Sequence, residues 1–251
     1  MTNREILQIA MRQSAIDINC APEDFTKNEN VVVRAELQKG VRSYYKEPIA
    51  CNLVSYGNNV VASVKDEYRG FIADYIGKYE WYRCFETPQI NELTAYFDAF
   101  GFEPKYMAEY RLPDMDSMRL FNCRYPLKVL TKSEFSGLYL PQWSNALCSD
   151  RSEYDVLCVG AYDGEKLIGL AGCSADCGTM WQIGVDVLPD YRRQGIAAAV
   201  TSRLAAEALN RGKVPYYCSA WSNIVSKRNA IKCGFRSAWV ELTVKPQEKA
   251  I

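Results

Sequence analysis

Residues 190–197 read DYRRQGIA and stand directly before a predicted helix, where they could bind a phosphate group. The first N–H groups of a helix have no intrahelical partner and lie at the positive end of the helix dipole. Gly195 has no Cβ to obstruct an approaching anion, and Arg192 and Arg193 would add charge and hydrogen-bond donors. The same residues would also suit a solvated basic turn before an ordinary surface helix, so the turn alone leaves both interpretations open.

A strand and a helix are predicted to position this turn. Residues 180–187 alternate apolar and other side chains, which is typical of a strand, and Pro189 ends it. After the turn, apolar residues recur at every fourth position and predict a helix with one buried face, which ends at 210–212. The apolar residues are Trp181, Ile183, Val185 and Val187 in the strand and Ile196, Val200, Leu204 and Ala208 in the helix.

The order of strand, basic turn and small residues resembles a known motif. Arg192, Gly195 and Ala197 fit the pattern Gln/Arg-x-x-Gly-x-Gly/Ala, which follows a strand in the GCN5-related N-acetyltransferase (GNAT) superfamily. The sequence contains neither the Gly-Lys-Ser/Thr of a nucleotide P-loop nor the Gly-x-Gly-x-x-Gly of a dinucleotide fold. The turn is therefore more similar to an acyl-CoA-binding motif than to other phosphate-binding loops.

A second segment strengthens this resemblance. Asn223-x-x-Ser226, followed by Gly234-Phe235, is similar to the superfamily's second conserved segment, a helix that ends at Gly-Phe. The two motifs occur in the expected order, and the resemblance covers residues 124–246. It implies an α/β fold of the α+β kind, in which a mixed central sheet has helices on both faces.

The resemblance also implies a cosubstrate, acetyl-CoA, bound in a gap between two diverging parallel strands, 180–187 and 214–221. The first strand would pair with the pantetheine arm, the turn would hold the pyrophosphate, and the 223–226 segment would contact the CoA arm. As structural alternatives, Asn223 could be a helix N-cap and Ser226 a packing residue. The implied binding residues are Val185, Val187, Arg192, Arg193, Gln194, Gly195, Ile196, Ala197, Asn223 and Ser226.

The sequence defines the catalytic groups less well. Acyl transfer needs an oxyanion donor, for which the backbone N–H of Val187 is best placed. It also needs a base, for which Asp186 is a candidate although it points to the opposite face of its strand. Many relatives have a general-acid tyrosine where this chain has Ala230. Either Tyr216 or Tyr217 would then protonate the leaving thiolate, or a thiolate with a pKa near ~8.5 would leave without help.

Composition excludes several other classes of function. The chain has 251 residues, and its 30 Lys plus Arg balance 30 Asp plus Glu, so no overall charge favours nucleic acid or membranes. It contains no histidine, which excludes Ser-His-Asp mechanisms and zinc sites that use histidine. Its 10 cysteines are scattered, so we expect reduced thiols and no metal. Residues 1–20 lack an apolar core and predict no signal peptide, so we expect a cytoplasmic protein.

The chain is predicted to contain two domains, 1–120 and 124–251, joined near 113–126. The second would be the catalytic acetyl-CoA-binding domain. The order of helix, Gly-Phe and strand around 234–235 recurs around 101–102, so the first domain is interpreted as a degenerate copy of the same fold on the acceptor side. It lacks a basic glycine turn and should not bind CoA in the same way. An unrelated α/β domain is the alternative.

The leading hypothesis is an N-acetyltransferase in which a primary amine of a small molecule, amino acid or peptide attacks acetyl-CoA directly in a ternary complex. A catalytically silent CoA-binding sensor or regulatory module is the alternative, and a protein-interaction scaffold without a cofactor is a third hypothesis. No nucleic-acid or membrane partner is expected. The acceptor and a homo-oligomeric state stay open, because acceptor pockets are built from variable loops.

Overall fold

The structure, a computed structural model, describes residues 1–248. Within this range the helices are α1 (Asn3–Ile18), α2 (Arg69–Lys78), α3 (Thr87–Asp98), α4 (Lys132–Phe135), α5 (Ile196–Asn210) and α6 (Ile224–Lys232). The strands are β1 (Val31–Arg34), β2 (Cys51–Ser55), β3 (Val61–Val64), β4 (Phe102–Pro113), β5 (Leu127–Leu130), β6 (Asp155–Asp163), β7 (Lys166–Ser174), β8 (Met180–Val187), β9 (Val214–Ser219) and β10 (Phe235–Pro246).

The chain divides into two compact units, and neither is continuous in sequence. Unit 1 consists of Met1–Ile9 and Arg111–Ser237, and it contains the basic turn. Unit 2 consists of Ala10–Tyr110 and Ala238–Ile251, of which 249–251 lie outside the described residues.

These units differ from the predicted domains 1–120 and 124–251. The helix α1 and the strands β4 and β10 each begin in one unit and end in the other. The strand β10, with 12 residues, contributes Phe235 to an apolar cluster of unit 1 and Leu242 to one of unit 2. The end of the predicted second domain, 249–251, lies outside the described residues.

The sheet of unit 1 has the strand order β9-β8-β7-β6-β5. The strands β5 to β8 are antiparallel to their neighbours, whereas β8 and β9 are parallel. One face packs on α5 and α6 in an apolar cluster that includes Ile183, Val200 and Ala230. The other face packs on α4 and the segment after it, through Phe135 and Leu147. A mixed sheet with helices on both faces is thus confirmed in this unit.

The sheet of unit 2 has the strand order β1-β3-β2-β10-β4. The strands β1 and β3 are parallel, and β2 is antiparallel to both β3 and β10. Leu53 faces an apolar cluster formed with α2 and α3, to which Ile72 and Leu93 belong. Because side chains alternate along a strand, Asn52 and its β3 partner Ser63 lie on the opposite face.

The elements around the basic turn agree with the predicted pattern, with one exception. The strand predicted at 180–187 is β8, and the helix predicted to end at 210–212 is α5, which ends at Asn210. The strand predicted to reach Trp221 stops at Ser219. The N–H of Asn223 donates to the C=O of Ala220 in a turn, and Trp221 is 63% exposed rather than part of the sheet.

Three properties of the described residues concern membranes, thiols and metals. In the part of the chain that the structure describes, every helix is too short or too polar to cross a lipid bilayer. The 10 cysteines are free thiols, and burial raises the pKa of Cys84 to about 11 and that of Cys233 to about 12. Residues 1–248 contain no group of three or more potential ligands placed to hold a metal ion.

Candidate functional site

The N-terminus of α5 presents backbone donors that the helix does not use. The first helical hydrogen bond runs from the N–H of Ala199 to the C=O of Gly195 at 3.1 Å, so the N–H groups of Ile196, Ala197 and Ala198 precede the ladder. Gly195 has φ +82°, and no heavy atom lies within 4 Å of the place that a Cβ would take there. The turn therefore combines outward donors with open space.

Hydrogen bonds within unit 1 hold the turn in this conformation. The Gln194 side chain accepts from the hydroxyl of Tyr125 at 3.0 Å and donates to the C=O of Asp190 at 3.3 Å. The Nε of Arg192 donates to the C=O of Val187 at 3.2 Å. Both polar atoms of the Gln194 side chain therefore have partners within the protein, and these hydrogen bonds help to fix the turn.

Both arginines of the turn are exposed, and one of them has an unusual backbone. Arg193 has φ +61°, in the left-handed region that costs a non-glycine residue about 1 kcal/mol. Such strain is typical of sites where the chain conformation serves binding. Neither Arg192 nor Arg193 forms an ion pair with a carboxylate of the described residues, so their charges are available to an anion.

The parallel strands β8 and β9 separate partway along their length. Their pairing begins at Met180↔Val214 and stops at Gln182↔Tyr216, although β8 continues to Val187. Residues 183–187 therefore lack a partner strand on the β9 side. This gap has the form that the resemblance implies for an acetyl-CoA site, and it opens toward the turn that follows β8.

The unpaired part of β8 directs backbone groups into the gap. The N–H of Leu188 donates to the C=O of Ile168 on β7 at 3.0 Å. Because the direction of these groups alternates along a strand, the N–H groups of Val185 and Val187 point away from β7 and toward the side of β9. Both valines therefore present backbone N–H groups to the gap, and their roles as a pairing edge and as an oxyanion donor stay predictions.

Asp186 binds a neighbouring loop. Its carboxylate accepts hydrogen bonds from the N–H groups of Asn145 and Ala146, at 2.8 and 2.9 Å, and from the side-chain amide of Asn145 at 2.7 Å. The loop is so close that a Cβ at Gly184 would lie 1.8 Å from the C=O of Asn145. Asp186 therefore fixes the 145–146 segment against β8, and its predicted role as a base gains no support from this arrangement.

A chain of polar side chains crosses the point where β8 and β9 separate. The Nε2 of Gln182 donates to the Sγ of Cys218 at 3.0 Å, and its Oε1 accepts from the hydroxyl of Tyr216 at 3.3 Å. That hydroxyl also lies 3.4 Å from the carboxylate of Asp176, which pairs with Arg151 at 3.0 Å. Tyr216, predicted as a general acid, is buried but belongs to a network that reaches the gap.

Sequence reasoning missed Gln182 and Asp176 as members of this network. The sequence did contain a signal for Gln182. The strand β8 has small or polar residues at alternate positions, Gln182, Gly184 and Asp186, so the face opposite its apolar side chains is not apolar. Asp176 lies in the connection between β7 and β8, where no periodicity marks a residue that folds back to a strand.

The second conserved segment forms structural contacts. The Oδ1 of Asn223 accepts from the N–H of Ser226 at 3.2 Å and caps α6. The Oγ of Ser226 lies 3.0 Å from the hydroxyl of Tyr217, and burial raises the pKa of that hydroxyl. Ala230 is completely buried in the apolar cluster of α5 and α6. The CoA contacts of Asn223 and Ser226 stay predictions, to which these contacts add a structural role.

Solved structures resemble this chain at low sequence identity. A GNAT-family protein from Novosphingobium aromaticivorans is 20% identical over 59% of this chain and 69% of its own, with a TM-score of 0.44. One from Colwellia psychrerythraea is 13% identical over 80% and 82%, with a TM-score of 0.46. A tandem GNAT protein from the clavulanic acid biosynthesis pathway is 14% identical over 62% and 59%, with a TM-score of 0.43. Likenesses this loose say nothing about a substrate.

Sequence comparison with curated proteins gives no match. The family model described as GNAT acetyltransferase matches residues 78–239, which is more than half of the 251 residues. The matched range contains the basic turn, both strands of the gap and α6. The chain therefore belongs to the GNAT acetyltransferase family.

Proposed function

We propose that the protein transfers the acetyl group of acetyl-CoA to a primary amine of a small molecule, an amino acid or a peptide. The single observation that carries this proposal is the separation of β8 from β9 directly before a helix N-terminus with unused donors. An unpaired strand edge suits an amide-containing arm, and the helix N-terminus suits a diphosphate. Acetyl-CoA contains both groups, and it supplies the acetyl thioester on which the amine acts.

The residues of the turn would hold the anionic end of this substrate. The N–H groups of Ile196, Ala197 and Ala198 would donate to the diphosphate, and Arg192 and Arg193 would neutralise its charge. The edge of β8 at 185–187 would pair with the pantetheine amides. These contacts orient the thioester before reaction, and such orientation is a major source of rate acceleration.

The backbone N–H of Val187 is the proposed donor to the oxyanion that forms when the amine attacks. A backbone donor held by a sheet needs little reorganisation as the charge develops. The leaving thiolate has two routes to a proton in this proposal. Tyr216, whose hydroxyl lies 3.3 Å from Gln182 at the start of the gap, would supply it directly or through water, and the proton released by the attacking nitrogen would pass to water and restore the tyrosine hydroxyl. Without that route the thiolate would leave unprotonated, which its reference pKa near ~8.5 permits.

A second candidate function is a CoA-binding sensor without catalysis. Two observations favour it. Ala230, which replaces the tyrosine of many relatives, is completely buried among apolar side chains, and the carboxylate of Asp186 is taken up by the 145–146 segment. In this function the turn and the gap would bind CoA, and no acceptor would react.

Release of free thiol distinguishes the two functions. The protein would be incubated with acetyl-CoA and a panel of amino acids, diamines and peptide N-termini, and free CoA thiol would be measured with a thiol-reactive dye. The proposal predicts release that depends on the amine. Measurable CoA binding with no release from any amine would support the sensor instead, and absence of CoA binding would contradict both.

A further inference from the structure

The inner end of the gap, where the pairing of β8 with β9 stops, is accessible from one face of the sheet of unit 1. On the face that packs on α5 and α6, Ile183 and Tyr217 are each only 2% exposed. Gln182 and Cys218 lie on the opposite face, because side chains alternate along a strand, and both are partly exposed. A second reactant that enters this end of the gap therefore has access from the face of Gln182 and Cys218.

The segment 145–146 lies against this accessible face. A Cβ at Gly172 of β7 would be 2.1 Å from the C=O of Ala146, and one at Gly184 of β8 would be 1.8 Å from the C=O of Asn145. Only glycine lets another backbone approach a strand so closely. The two glycines are partners in the β7–β8 register, so the segment crosses both strands at one level. Asn145 lies over β8 and is exposed, so it stands beside the strand whose edge lines the gap.

Asp186 fixes the position of this segment. Its Oδ2 accepts hydrogen bonds from the backbone N–H groups of Asn145 and Ala146, at 2.8 and 2.9 Å. Its Oδ1 accepts from the Nδ2 of Asn145 at 2.7 Å. Hydrogen bonds to a carboxylate are stronger than those between neutral groups. Three such bonds from two consecutive residues hold both the backbone and the side chain of Asn145 in one orientation.

The amide oxygen of Asn145 is left available to a ligand. Because the Nδ2 donates to Asp186, the Oδ1 points away from that carboxylate, and it makes no hydrogen bond within residues 1–248. An amide oxygen accepts N–H donors, and a primary amine carries such donors in both its neutral and its protonated form. The fixed orientation of Asn145 therefore presents one acceptor of the kind that an amine requires.

We propose that Asp186 is a positioning residue for the acceptor amine, an inference that rests on the acetyl transfer proposed above. Asp186 holds the 145–146 segment against β8, so that the Oδ1 of Asn145 accepts a hydrogen bond from the amine and directs its nitrogen toward the thioester. Such orientation before reaction accelerates a transfer between two bound reactants. Asp186 takes no proton in this role, because its two oxygens hold the segment, and the proton of the attacking nitrogen passes to water.

Steady-state kinetics at saturating acetyl-CoA test this role, with the amine of the panel that releases thiol fastest. Asn145→Ala removes the Oδ1 but keeps both backbone N–H groups on Asp186, so kcat/KM for the amine should fall about tenfold, chiefly through a higher KM. Asp186→Asn weakens all three hydrogen bonds and should raise the KM for the amine at least as much. Calorimetry should give both variants an affinity for CoA within about threefold of wild type, and thermal unfolding should stay cooperative.

Glu134→Gln is the matched control. The carboxylate of Glu134 also accepts a backbone N–H, that of Thr131 at 2.8 Å, but it lies beside β5 at the far edge of the same sheet. This variant should keep the wild-type KM for the amine. An unchanged KM in Asn145→Ala and Asp186→Asn, or an equal loss of CoA affinity in them, would overturn the positioning role while transfer itself stands. Absence of thiol release by the wild type with every amine would instead overturn the proposed transfer, and the positioning role with it.

Discussion

The two units use their polar groups in opposite ways. In unit 1 the strand β8 pairs with β9 over only three of its eight residues, and the turn after β8 leaves helix N–H groups without partners. In unit 2 the strand β2 pairs with β10 along all five of its residues. The buried polar groups on the sheet face opposite its apolar cluster are side chains, such as those of Asn52 and Ser63. Unpaired backbone N–H groups therefore characterise the site of unit 1, whereas buried polar and charged side chains distinguish unit 2.

The largest expected effect concerns the buried charge of unit 2. Asp17→Ala leaves the buried guanidinium of Arg42 without its carboxylate and should lower the free energy of unfolding by about 3–5 kcal/mol. Urea denaturation measures this loss. Asp66→Ala is the matched control, because it breaks the exposed pair with Arg34 and should cost less than about 1 kcal/mol. Similar losses in both variants would remove the distinction between buried and exposed charge.

The next largest effect concerns the unpaired backbone N–H groups at the start of α5 in unit 1. Ala197→Asp places a carboxylate on the helix turn and should weaken acetyl-CoA binding about 100-fold by repulsion of the diphosphate. This position has helical backbone, so the change avoids the strain that any substitution at Gly195 would add. Ala95→Asp on the exposed face of α3 is the matched control, and calorimetry should give it the wild-type affinity.

A glycine of β8 tests the contact that holds the 145–146 segment. Gly184→Ala would bring a Cβ to 1.8 Å from the C=O of Asn145, and the required shift should cost about 1–3 kcal/mol. Gly178→Ala, where no atom lies within 4 Å, should be close to neutral. Thermal unfolding of the two variants measures the difference. If Gly184→Ala unfolds like the control, the loop does not lie against β8 as described.

The smallest effect is a pH dependence in unit 2. Burial raises the pKa of Glu241, so the folded state holds this proton more tightly than the unfolded state. Its contribution to stability is complete below the unfolded pKa and declines as the pH rises through the folded pKa, by up to about 1.4 kcal/mol per pH unit. Glu241→Gln keeps an acceptor for the indole N–H of Trp239 at the same place.

The stability of Glu241→Gln relative to wild type should therefore increase as the pH rises above about 4.5. Urea denaturation at a series of pH values checks this trend. A constant difference between the two proteins across that range would show that the carboxyl of Glu241 titrates alike in both states.

Sequence patterns predicted the elements of unit 1 better than the contacts between them. The alternation in 180–187 and the four-residue repeat from Ile196 depend on local backbone geometry, and β8 and α5 have those bounds. The partner of Asp186 could not be predicted, because it lies about 40 residues earlier in a segment without periodicity. The face of β8 on which Asp186 lies could be predicted from the alternation of side chains, but the hydrogen bonds of its carboxylate could not.

Sequence patterns also did not predict where the chain divides into its two units, or that the sheet of unit 2 has a buried polar face. A single long strand such as β10 gives no local sign of where one core ends and the next begins. The buried row of Ser63, Asn52 and Thr243 arises from strands far apart in the chain, and only their register brings these residues together. The interpretation of the first half as a degenerate copy of the second stays a prediction.

The most direct test of the proposed acetyl-CoA site is to follow the ¹⁵N amide resonances of the protein during titration with acetyl-CoA. The proposed site predicts the largest shifts at the N–H groups of 193–198 and at Val185 and Val187, because these donors would contact the diphosphate, the pantetheine arm and the thioester carbonyl. Saturable binding that leaves these resonances in place, or absence of any binding, would contradict the assignment of the site to the turn and the unpaired edge of β8.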